Sequence, residues 1–261
     1  MNMQDDTFEL GGKIFTSRLL VGTGKFPGPQ FVTDVIKASG TELITVAMRR
    51  VNPESHDCNI LSYIPKNVTI MTNTSGARNA KEAVRIARIA REAGCGNFIK
   101  IEVINEMKYL MPDNEETIKA TEELAKDNFV VLPYCGADPV VAKKLADAGA
   151  AAVMPLGSPI GSNKGIKTKD FIEMIIEYSP IPVIVDAGIG KPSHASEAME
   201  MGASAVLINT AIATAEDPVL ISKAFALAVQ AGRYSYLAKA RGSQDKASAS
   251  SPLTGFLRED R

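Results

Sequence analysis

Eight short apolar runs, each followed by a stretch with helical patterning, recur along almost the whole chain. Buried parallel strands read as near-continuous apolar runs, and parallel strands need crossover connections that are usually helices. The runs are Leu19–Gly22, Leu43–Ala47, Val68–Thr72, Phe98–Val103, Phe129–Pro133, Ala151–Met154, Val183–Asp186 and Ala205–Ile208. This pattern predicts an α/β fold, a closed (β/α)8 TIM barrel, with an open doubly wound sheet as the alternative.

The length of the chain suits one such barrel. Its 261 residues match the usual size of about 250 residues for this fold. We expect residues 1–240 to form a single barrel domain. Residues 241–261 are Ser-rich and polar, which predicts a flexible C-terminal tail.

Helix boundaries can be placed from capping signals. Asp138 and Asp217 each precede a proline, the pattern of a capping acid followed by proline at the first helical position. Asn79, three residues before a glutamate, predicts another helix start. The helices that begin at the two aspartates should end near Gly149 and Gly232, because glycine commonly follows the last helical turn.

The composition excludes several classes of protein. A formal net charge of −1 offers no basic surface for nucleic acid or an anionic membrane. Cys58, Cys95 and Cys135 are too few and too widely spaced for a disulfide framework or a zinc site. Residues 1–10 lack the apolar core of a signal peptide, and no apolar run approaches the roughly 18–20 residues of a membrane span. We therefore expect a soluble cytoplasmic protein without a metal ion or cofactor.

The run Phe98–Val103 carries two charged residues within an apolar strand. Side chains alternate along a strand, so Lys100 and Glu102 share one face and the apolar side chains share the other. The apolar face should pack on helices, which turns both charges into the barrel. An amine removed from water becomes a nucleophile towards a carbonyl, and a nearby carboxylate can shuttle protons during imine formation. The alternative is a structural Lys–Glu pair that lines the lumen.

Further candidates lie where the last three apolar runs end. Asp186 ends the seventh run and suits a general base, with a turn-capping role as the alternative. Small or glycine-rich turns follow these runs at Gly157–Ser162, Ala187–Gly190 and Asn209–Ala211. Glycine lets backbone N–H groups approach an anion, and barrels commonly hold phosphate in the loops after strands seven and eight. Together the turns predict a phosphate site.

Other polar residues rank lower. His56 and His194 have no obvious nucleophile near them in the sequence, so surface or packing roles are favoured. Cys135, at the end of the fifth run, is favoured as a small buried filler. Arg49 and Arg50 could meet an anion, but a solvated or subunit-interface role is favoured.

Several motifs, taken in order, resemble the thiazole synthase family of thiamine biosynthesis. The similarity extends from about Phe8 to Ala240, and the lysine strand and the Met-Pro-Leu-Gly turn are specific in combination. The motifs are Val46–Asn52, Asn73–Gly76, Phe98–Ile104, Leu110–Asp113, Val153–Gly161 and Val185–Gly190.

The resemblance implies an enzyme that uses 1-deoxy-D-xylulose 5-phosphate, dehydroglycine and a sulfur-carrier protein with a C-terminal thiocarboxylate. It implies that Lys100 forms an imine with the ketose and that Glu102 and Asp186 are acid–base residues. It also implies a dimer or tetramer, and a partner enzyme, glycine oxidase or tyrosine lyase, that supplies dehydroglycine. The positions that match phosphate-binding residues of the family are Gly161, Ala187, Gly188, Asn209 and Thr210.

Two other functions remain open from the sequence. Another Schiff-base enzyme acting on a ketose or pentose phosphate, such as an aldolase or a pyridoxal phosphate synthase-like barrel, would also use a lysine in the lumen. A non-enzymatic phosphate-ligand-binding scaffold would bind the ketose phosphate normally after Lys100→Ala. In the tail, Phe256 and Leu257 could cover the cavity or dock the carrier protein, with plain disorder as the alternative.

Overall fold

The structure is a computed structural model that describes residues 6–26, 28–47, 60–240 and 245–248. Its strands are β1 Phe8–Leu10, β2 Lys13–Phe15, β3 Leu19–Gly22, β4 Leu43–Ala47, β5 Thr69–Asn73, β6 Phe98–Ile101, β7 Val130–Cys135, β8 Met154–Pro155, β9 Ile184–Val185 and β10 Ala205–Ile208. Its α-helices are α1 Gln30–Ser39, α2 Ala80–Glu92, α3 Asn114–Lys126, α4 Pro139–Asp147, α5 Lys169–Tyr178, α6 Pro192–Glu200, α7 Thr210–Ala213 and α8 Pro218–Leu237, and a 3-10 helix spans Ile60–Tyr63. The predictions for Arg49, Arg50, His56, Cys58, Phe256 and Leu257 fall outside the described residues.

The strands β3 to β10 form one parallel sheet that closes on itself. Their order is β8-β7-β6-β5-β4-β3-β10-β9. Parallel bridges join Val153 to Val183 and Leu156 to Asp186, so β8 also pairs with β9. The amide of Ile184 donates to the carbonyl of Val153 at 2.9 Å across this seam. The closed (β/α)8 barrel is therefore confirmed over the open sheet.

Several strands begin or end at residues other than the predicted ones. β6 was expected to reach Val103 but ends at Ile101, and Val103 continues only as an isolated bridge to Ala77. β8 was expected from Ala151, but its regular pairing starts at Met154. Apolar character reports burial, which extends beyond the residues that join the hydrogen-bonded ladder.

The helix starts were predicted well, but one helix end was wrong. Asp138 accepts from the amide of Val140 at 2.7 Å, and Asp217 accepts from the amide of Leu220 at 2.8 Å, as capping acids should. α8 does not stop near Gly232 and continues to Leu237. A Cβ on Gly232 would lie 2.3 Å from the carbonyl oxygen of Ser196, so this glycine allows α8 to pack closely on α6.

A β-hairpin that the sequence analysis did not predict covers the N-terminal end of the barrel. β1 and β2 pair antiparallel, and Leu10 and Phe15 pack with the apolar side chains that fill the lower lumen. Phe15 also meets Phe98 edge-on, with ring centroids 6.2 Å apart. Because the hairpin covers this end, access to the lumen is left to the opposite end, where the strands finish.

Helix α8 is joined to the N-terminal segment by one carboxylate shared between two arginines. Arg18 and Arg233 both contact Oδ1 of Asp6, at 2.8 and 2.7 Å. The hydrogen bond from Arg233, reinforced by Arg18, lowers the pKa of Asp6 to about 2 against the opposing effect of burial. No helix in the described ranges, α8 included, is long and apolar enough to cross a membrane.

The shared carboxylate gives a stability prediction. Asp6→Asn keeps the size of the side chain but removes its charge, and should lower the free energy of unfolding at pH 7 by about 1–2 kcal/mol after solvent screening is allowed for. Because the pKa of Asp6 is lowered on folding, its stabilisation is present above the unfolded pKa near 4 and is lost as the pH falls towards 2.

Urea denaturation of the parent and Asp6→Asn from pH 7 to pH 3 measures this difference, which should shrink on the acid side. Asp147→Asn is the matched control, because Asp147 forms an exposed ion pair with Lys143. An equal loss of stability in both variants, or a difference that does not depend on pH, would contradict the prediction.

Candidate active site

The register of β6 turns Lys100 and Glu102 into the barrel, as the alternation of side chains predicted. Ile99, Ile101 and Val103 belong to the apolar cluster beneath α2 and α3. Lys100 and Glu102 point the other way and are only 5% and 8% exposed. A charged pair with so little contact with water needs partners of its own, and these come from other strands.

Lys100 meets its closest partner across the lumen. Its Nζ contacts Oδ2 of Asp186, at the end of β9, and lies 4.0 Å from Oε2 of Glu102. The Nζ atom also lies 5.4 Å from the ring centroid of Tyr134 on β7. The amine is thus held between two carboxylates and an aromatic ring at the C-terminal end of the barrel, where active sites of this fold lie.

Asp186 is buried and its carboxylate is oriented by its own backbone. Oδ1 accepts from the amide of Ala187 at 2.7 Å, which leaves Oδ2 to face Lys100. Burial raises the pKa of Asp186, the charge of Lys100 opposes this, and the neighbouring Glu102 adds to it. A carboxylate with a raised pKa accepts a proton more readily, which suits a group in contact with an ammonium.

Glu102 is fixed from the end of β5. Asn73 donates from Nδ2 to Oε2 of Glu102 at 3.0 Å, and Oδ1 of Asn73 accepts from the amide of Ser75 at 2.8 Å. Thr74 holds the backbone of the same residue, because its Oγ1 accepts from the amide of Glu102 at 2.8 Å and donates to its carbonyl at 3.2 Å. Both the side chain and the main chain of Glu102 are therefore set by the adjacent strand.

Asn73 and Tyr134 were not predicted as site residues. Asn73 is the register partner of Lys100, so strand pairing brings its amide next to Glu102. Tyr134 is fully buried, burial raises the pKa of its phenol, and its hydroxyl donates to the carbonyl of Leu110 at 3.5 Å. Both residues lie at the C-terminal end of an apolar run, and Asn73 also begins one of the motifs that resemble the thiazole synthase family.

The residues predicted to hold phosphate lie in the three adjacent loops after β8, β9 and β10. Gly161 and Gly188 have backbone φ angles of 75° and 79°, in the left-handed region that favours glycine. Among the described residues, the N–H groups of Gly161, Gly188 and Thr210 have no hydrogen-bond acceptor. Oδ1 of Asn209 is buried and also has no partner there. The N–H of Ala187 differs, because in this structure it orients Asp186.

Two of these loops are joined to each other by hydrogen bonds. The amide of Gly165 donates to the carbonyl of Gly188 at 2.8 Å, and the amide of Gly157 donates to the carbonyl of Asp186 at 2.9 Å. His194 accepts from the amide of Gly190 at 3.2 Å through Nδ1. Burial, with a contribution from nearby lysine charge, lowers the pKa of His194, which favours the neutral ring that can accept this bond. The packing role expected of His194 is confirmed.

Cys135 also has the expected role. Its side chain is fully buried among Ala142, Leu145 and Val153, on the helix-facing side of the barrel. Burial raises the pKa of the Cys135 thiol to about 12. The thiol therefore points away from Lys100 and does not line the candidate site.

Comparison with known proteins identifies the family. The family model described as "Thiazole biosynthesis protein ThiG" matches residues 9–252. The thiazole synthase of Pelotomaculum thermopropionicum is 61% identical over 255 residues, which cover 98% of this chain and 100% of that protein. The chain belongs to the ThiG family of thiazole synthases. The thiazole synthase of Clostridioides difficile is 60% identical over 252 residues, 97% of this chain and 98% of that protein.

Membership of the ThiG family decides between the functions that the sequence left open. The protein is an enzyme of thiamine biosynthesis that makes the thiazole, so the aldolase, the pyridoxal phosphate synthase-like barrel and the non-enzymatic scaffold are excluded. The buried Lys100–Asp186 pair lies at the C-terminal end of the barrel strands, the end where active sites of this fold are found.

Solved structures agree with this assignment. A chain of the Amycolatopsis orientalis BexX/CysO complex superposes with a TM-score of 0.80 at 34% identity, covering 92% of this chain and 98% of that chain. A mandelate oxidase superposes with a TM-score of 0.63 at 17% identity, covering 88% of this chain and 77% of that chain, which shows a shared fold only.

Proposed function

We propose that this ThiG-family enzyme condenses 1-deoxy-D-xylulose 5-phosphate, dehydroglycine and the sulfur of a thiocarboxylated carrier protein into a thiazole phosphate carboxylate, through an imine on Lys100. The observation that carries the proposal is the contact between the buried amine of Lys100 and Asp186, with Glu102 at 4.0 Å. The carboxylate of Asp186 can take a proton from this amine. The carboxylate of Glu102 is close enough to act on a substrate bound to the amine.

Imine formation requires Lys100 to lose a proton. The contact with Oδ2 makes Asp186 the acceptor, and burial helps because it raises the pKa of this carboxyl. The free amine then forms a bond to the ketone carbon, and a proton passes from the nitrogen to the ketone oxygen, which becomes a hydroxyl. Asp186 returns the proton to this oxygen, which leaves as water while the C=N bond forms.

The imine then allows the carbonyl to migrate along the sugar. Removal of a proton from the carbon next to the imine needs a base on the same face of the lumen, and Glu102 is placed for this role by Asn73. Sulfur then passes from the carrier thiocarboxylate to the sugar carbonyl carbon, and the displaced oxygen stays on the carrier, which becomes an ordinary carboxylate. Condensation with dehydroglycine, with loss of water, closes the ring. The proposal gives the proton transfers of these steps to the two carboxylates because both lie beside Lys100.

Phosphate recognition is the role proposed for the loops after β8, β9 and β10. The unused N–H groups of Gly161, Gly188 and Thr210 are donors of the kind that bind anions, and Asn209 lies beside Thr210. Ala187 is expected to contribute less directly, since its N–H holds Asp186.

Several partners are part of the proposal. The similar chain from Amycolatopsis orientalis was solved in a complex of two proteins, BexX and CysO, which supports a protein partner for this chain as well. We propose that this partner is the thiocarboxylated sulfur carrier. A separate enzyme, glycine oxidase or tyrosine lyase, would supply dehydroglycine. A dimer or tetramer, a cytoplasmic location and a flexible tail over residues 241–261 stay predictions.

Reconstitution with purified components tests the proposed function. The complete mixture of enzyme, 1-deoxy-D-xylulose 5-phosphate, dehydroglycine and thiocarboxylated carrier should form a thiazole phosphate carboxylate detectable by mass spectrometry. Omission of any component should abolish the product, and a carrier ending in an ordinary carboxylate should also fail. Product formed without the ketose phosphate or without the thiocarboxylate would refute the proposal.

Asn73→Ala provides a test of the role given to Glu102. The variant removes the hydrogen bond that fixes the carboxylate of Glu102. Loss of a hydrogen bond to a charged group should lower turnover by about 10-fold. Imine formation should change less than twofold, because Asp186 rather than Glu102 serves that step. Borohydride trapping at a series of times measures the rate of imine formation, and product assays measure turnover.

Asn105→Ala is the matched control for Asn73→Ala. Asn105 also donates from Nδ2 to a carboxylate, that of Asp113 at 2.7 Å, but on the exposed surface. This control should keep parental turnover. Equal falls in imine formation and turnover in Asn73→Ala would show that Asn73 does not act through Glu102 in the later steps.

A further inference from the structure

The loop after β3 adjoins the proposed phosphate site, although no residue in it was predicted to bind substrate. β3 pairs in parallel with β10, with Val21 opposite Ile208. The loops that leave the C-terminal ends of these strands are therefore neighbours. The loop after β10 contains Asn209 and Thr210, so the topology alone brings residues 23–26 close to the proposed phosphate-binding residues.

Two glycines allow the backbone of this loop to approach Asn209 closely. A Cβ on Gly22 would lie 2.6 Å from Cβ of Asn209, and a Cβ on Gly24 would lie 2.6 Å from its Nδ2. Neither position could hold a larger residue without movement of Asn209. The loop after β3 is thus fixed against the predicted site, and the residue that follows Gly24 is Lys25.

The side chain of Lys25 points at the same group of residues. A Cβ on Gly161 would lie 3.2 Å from Nζ of Lys25 and 3.8 Å from Oγ1 of Thr210, so the ammonium and this hydroxyl face the same glycine. Lys25 has a φ angle of 65°, in the left-handed region that is costly for a residue with a side chain. Backbone strain of this kind persists where the surrounding structure enforces it, often at ligand sites.

The surroundings of Lys25 provide hydrogen-bond donors for an anion. In the described ranges Lys25 forms no ion pair, whereas several other exposed lysines pair with a glutamate or an aspartate, among them Lys119, Lys126 and Lys143. Ser162, the residue after Gly161, has a buried Oγ without a partner among the described residues. A phosphate oxygen would accept from this hydroxyl and from the free N–H of Gly161.

We infer that Lys25 binds the phosphate group of the sugar phosphate and makes the enzyme selective for the phosphorylated ketose. The inference rests on the proposed function, because it assigns a further ligand to the same substrate. A dianion bound only by neutral N–H and hydroxyl donors keeps its full charge, and the ammonium beside Gly161 neutralises part of it. The non-phosphorylated ketose cannot make this contact, so Lys25 increases the affinity for the phosphorylated ketose alone.

The test is reductive trapping with borohydride at increasing concentrations of 1-deoxy-D-xylulose 5-phosphate or 1-deoxy-D-xylulose. In Lys25→Met, half-maximal trapping should require a concentration of the phosphorylated sugar about 10-fold higher than in the parent. The non-phosphorylated sugar should behave as with the parent, and Lys25→Arg should retain most of the affinity. Lys66→Met, which removes an exposed lysine charge from the turn before β5, at the opposite end of the barrel, is the matched control and should change neither concentration by more than twofold.

A second variant separates binding from folding. Lys25→Gly relieves the positive φ, so its thermal midpoint should equal or exceed that of the parent, while its affinity for the phosphorylated sugar falls as in Lys25→Met. Unchanged half-maximal trapping in Lys25→Met, or an equal loss in Lys66→Met, would overturn the inference. If the parent itself formed no adduct at Lys100, the proposed function would fail instead, so the two failures are distinguishable.

Discussion

Lys100→Arg should abolish thiazole formation, with a fall of about 10⁴-fold or more, while the protein remains folded. Arginine keeps the positive charge between Asp186 and Glu102, so neither buried carboxylate is left without a cation. The guanidinium stays protonated at any working pH and cannot form the imine. Loss of turnover in this variant therefore reports the missing nucleophile rather than the missing charge. Product assays and a thermal denaturation profile measure the two properties.

The control for Lys100→Arg is Lys126→Arg, on the exposed surface of α3, where lysine forms an ion pair with Glu122. It should keep both stability and turnover. Turnover in Lys100→Arg at a tenth of the parental value or more would mean that no covalent intermediate on this residue is needed.

Asp186→Asn is expected to slow imine formation by about 10²–10³-fold, the range typical of a lost general acid–base group. The asparagine side chain has the same shape and can still accept from the amide of Ala187 through Oδ1. It cannot take the proton of Lys100, which must then go to solvent. Imine formation in the variant should therefore accelerate as the pH rises, since hydroxide and buffer bases replace the carboxylate.

Rapid-quench trapping of the parent and Asp186→Asn from pH 6 to pH 9 measures this dependence. Glu102→Gln is the comparison variant, because Glu102 lies 4.0 Å from Nζ of Lys100 rather than in contact with it. Glu102→Gln should form the imine faster than Asp186→Asn at every pH. The opposite order would show that Glu102 is the proton acceptor.

The barrel and the orientation of Lys100 were predictable because both follow from local patterns. Alternation along Phe98–Val103 places the lysine and the glutamate opposite Ile99 and Ile101, and the apolar face has only helices to pack on. Asp186 was predictable from its place at a strand end. No local pattern states that β6 and β9, which are not neighbours in the sheet, bring Lys100 and Asp186 into contact.

The residues that were missed depend on strand register and loop packing. Asn73 reaches Glu102 only because it lies opposite Lys100 in the β5–β6 ladder. Lys25 reaches Gly161 because β3 pairs with β10, which brings the loop after β3 to the proposed phosphate site. Gly232 was wrongly predicted to end its helix. In the sequence, a glycine that allows close packing of two helices cannot be told from one that ends a helix. Each case turns on which distant segment is adjacent, and that is a property of the assembled barrel.

The most direct test of the central claim is to map the covalent adduct on the parent enzyme. The protein is incubated with 1-deoxy-D-xylulose 5-phosphate, reduced with borohydride, digested and sequenced by tandem mass spectrometry. A reduced sugar phosphate on Lys100, absent when borohydride or the ketose is omitted, is the expected result. An adduct on a different lysine, or none under conditions that support turnover, would contradict the assignment of Lys100 as the nucleophile.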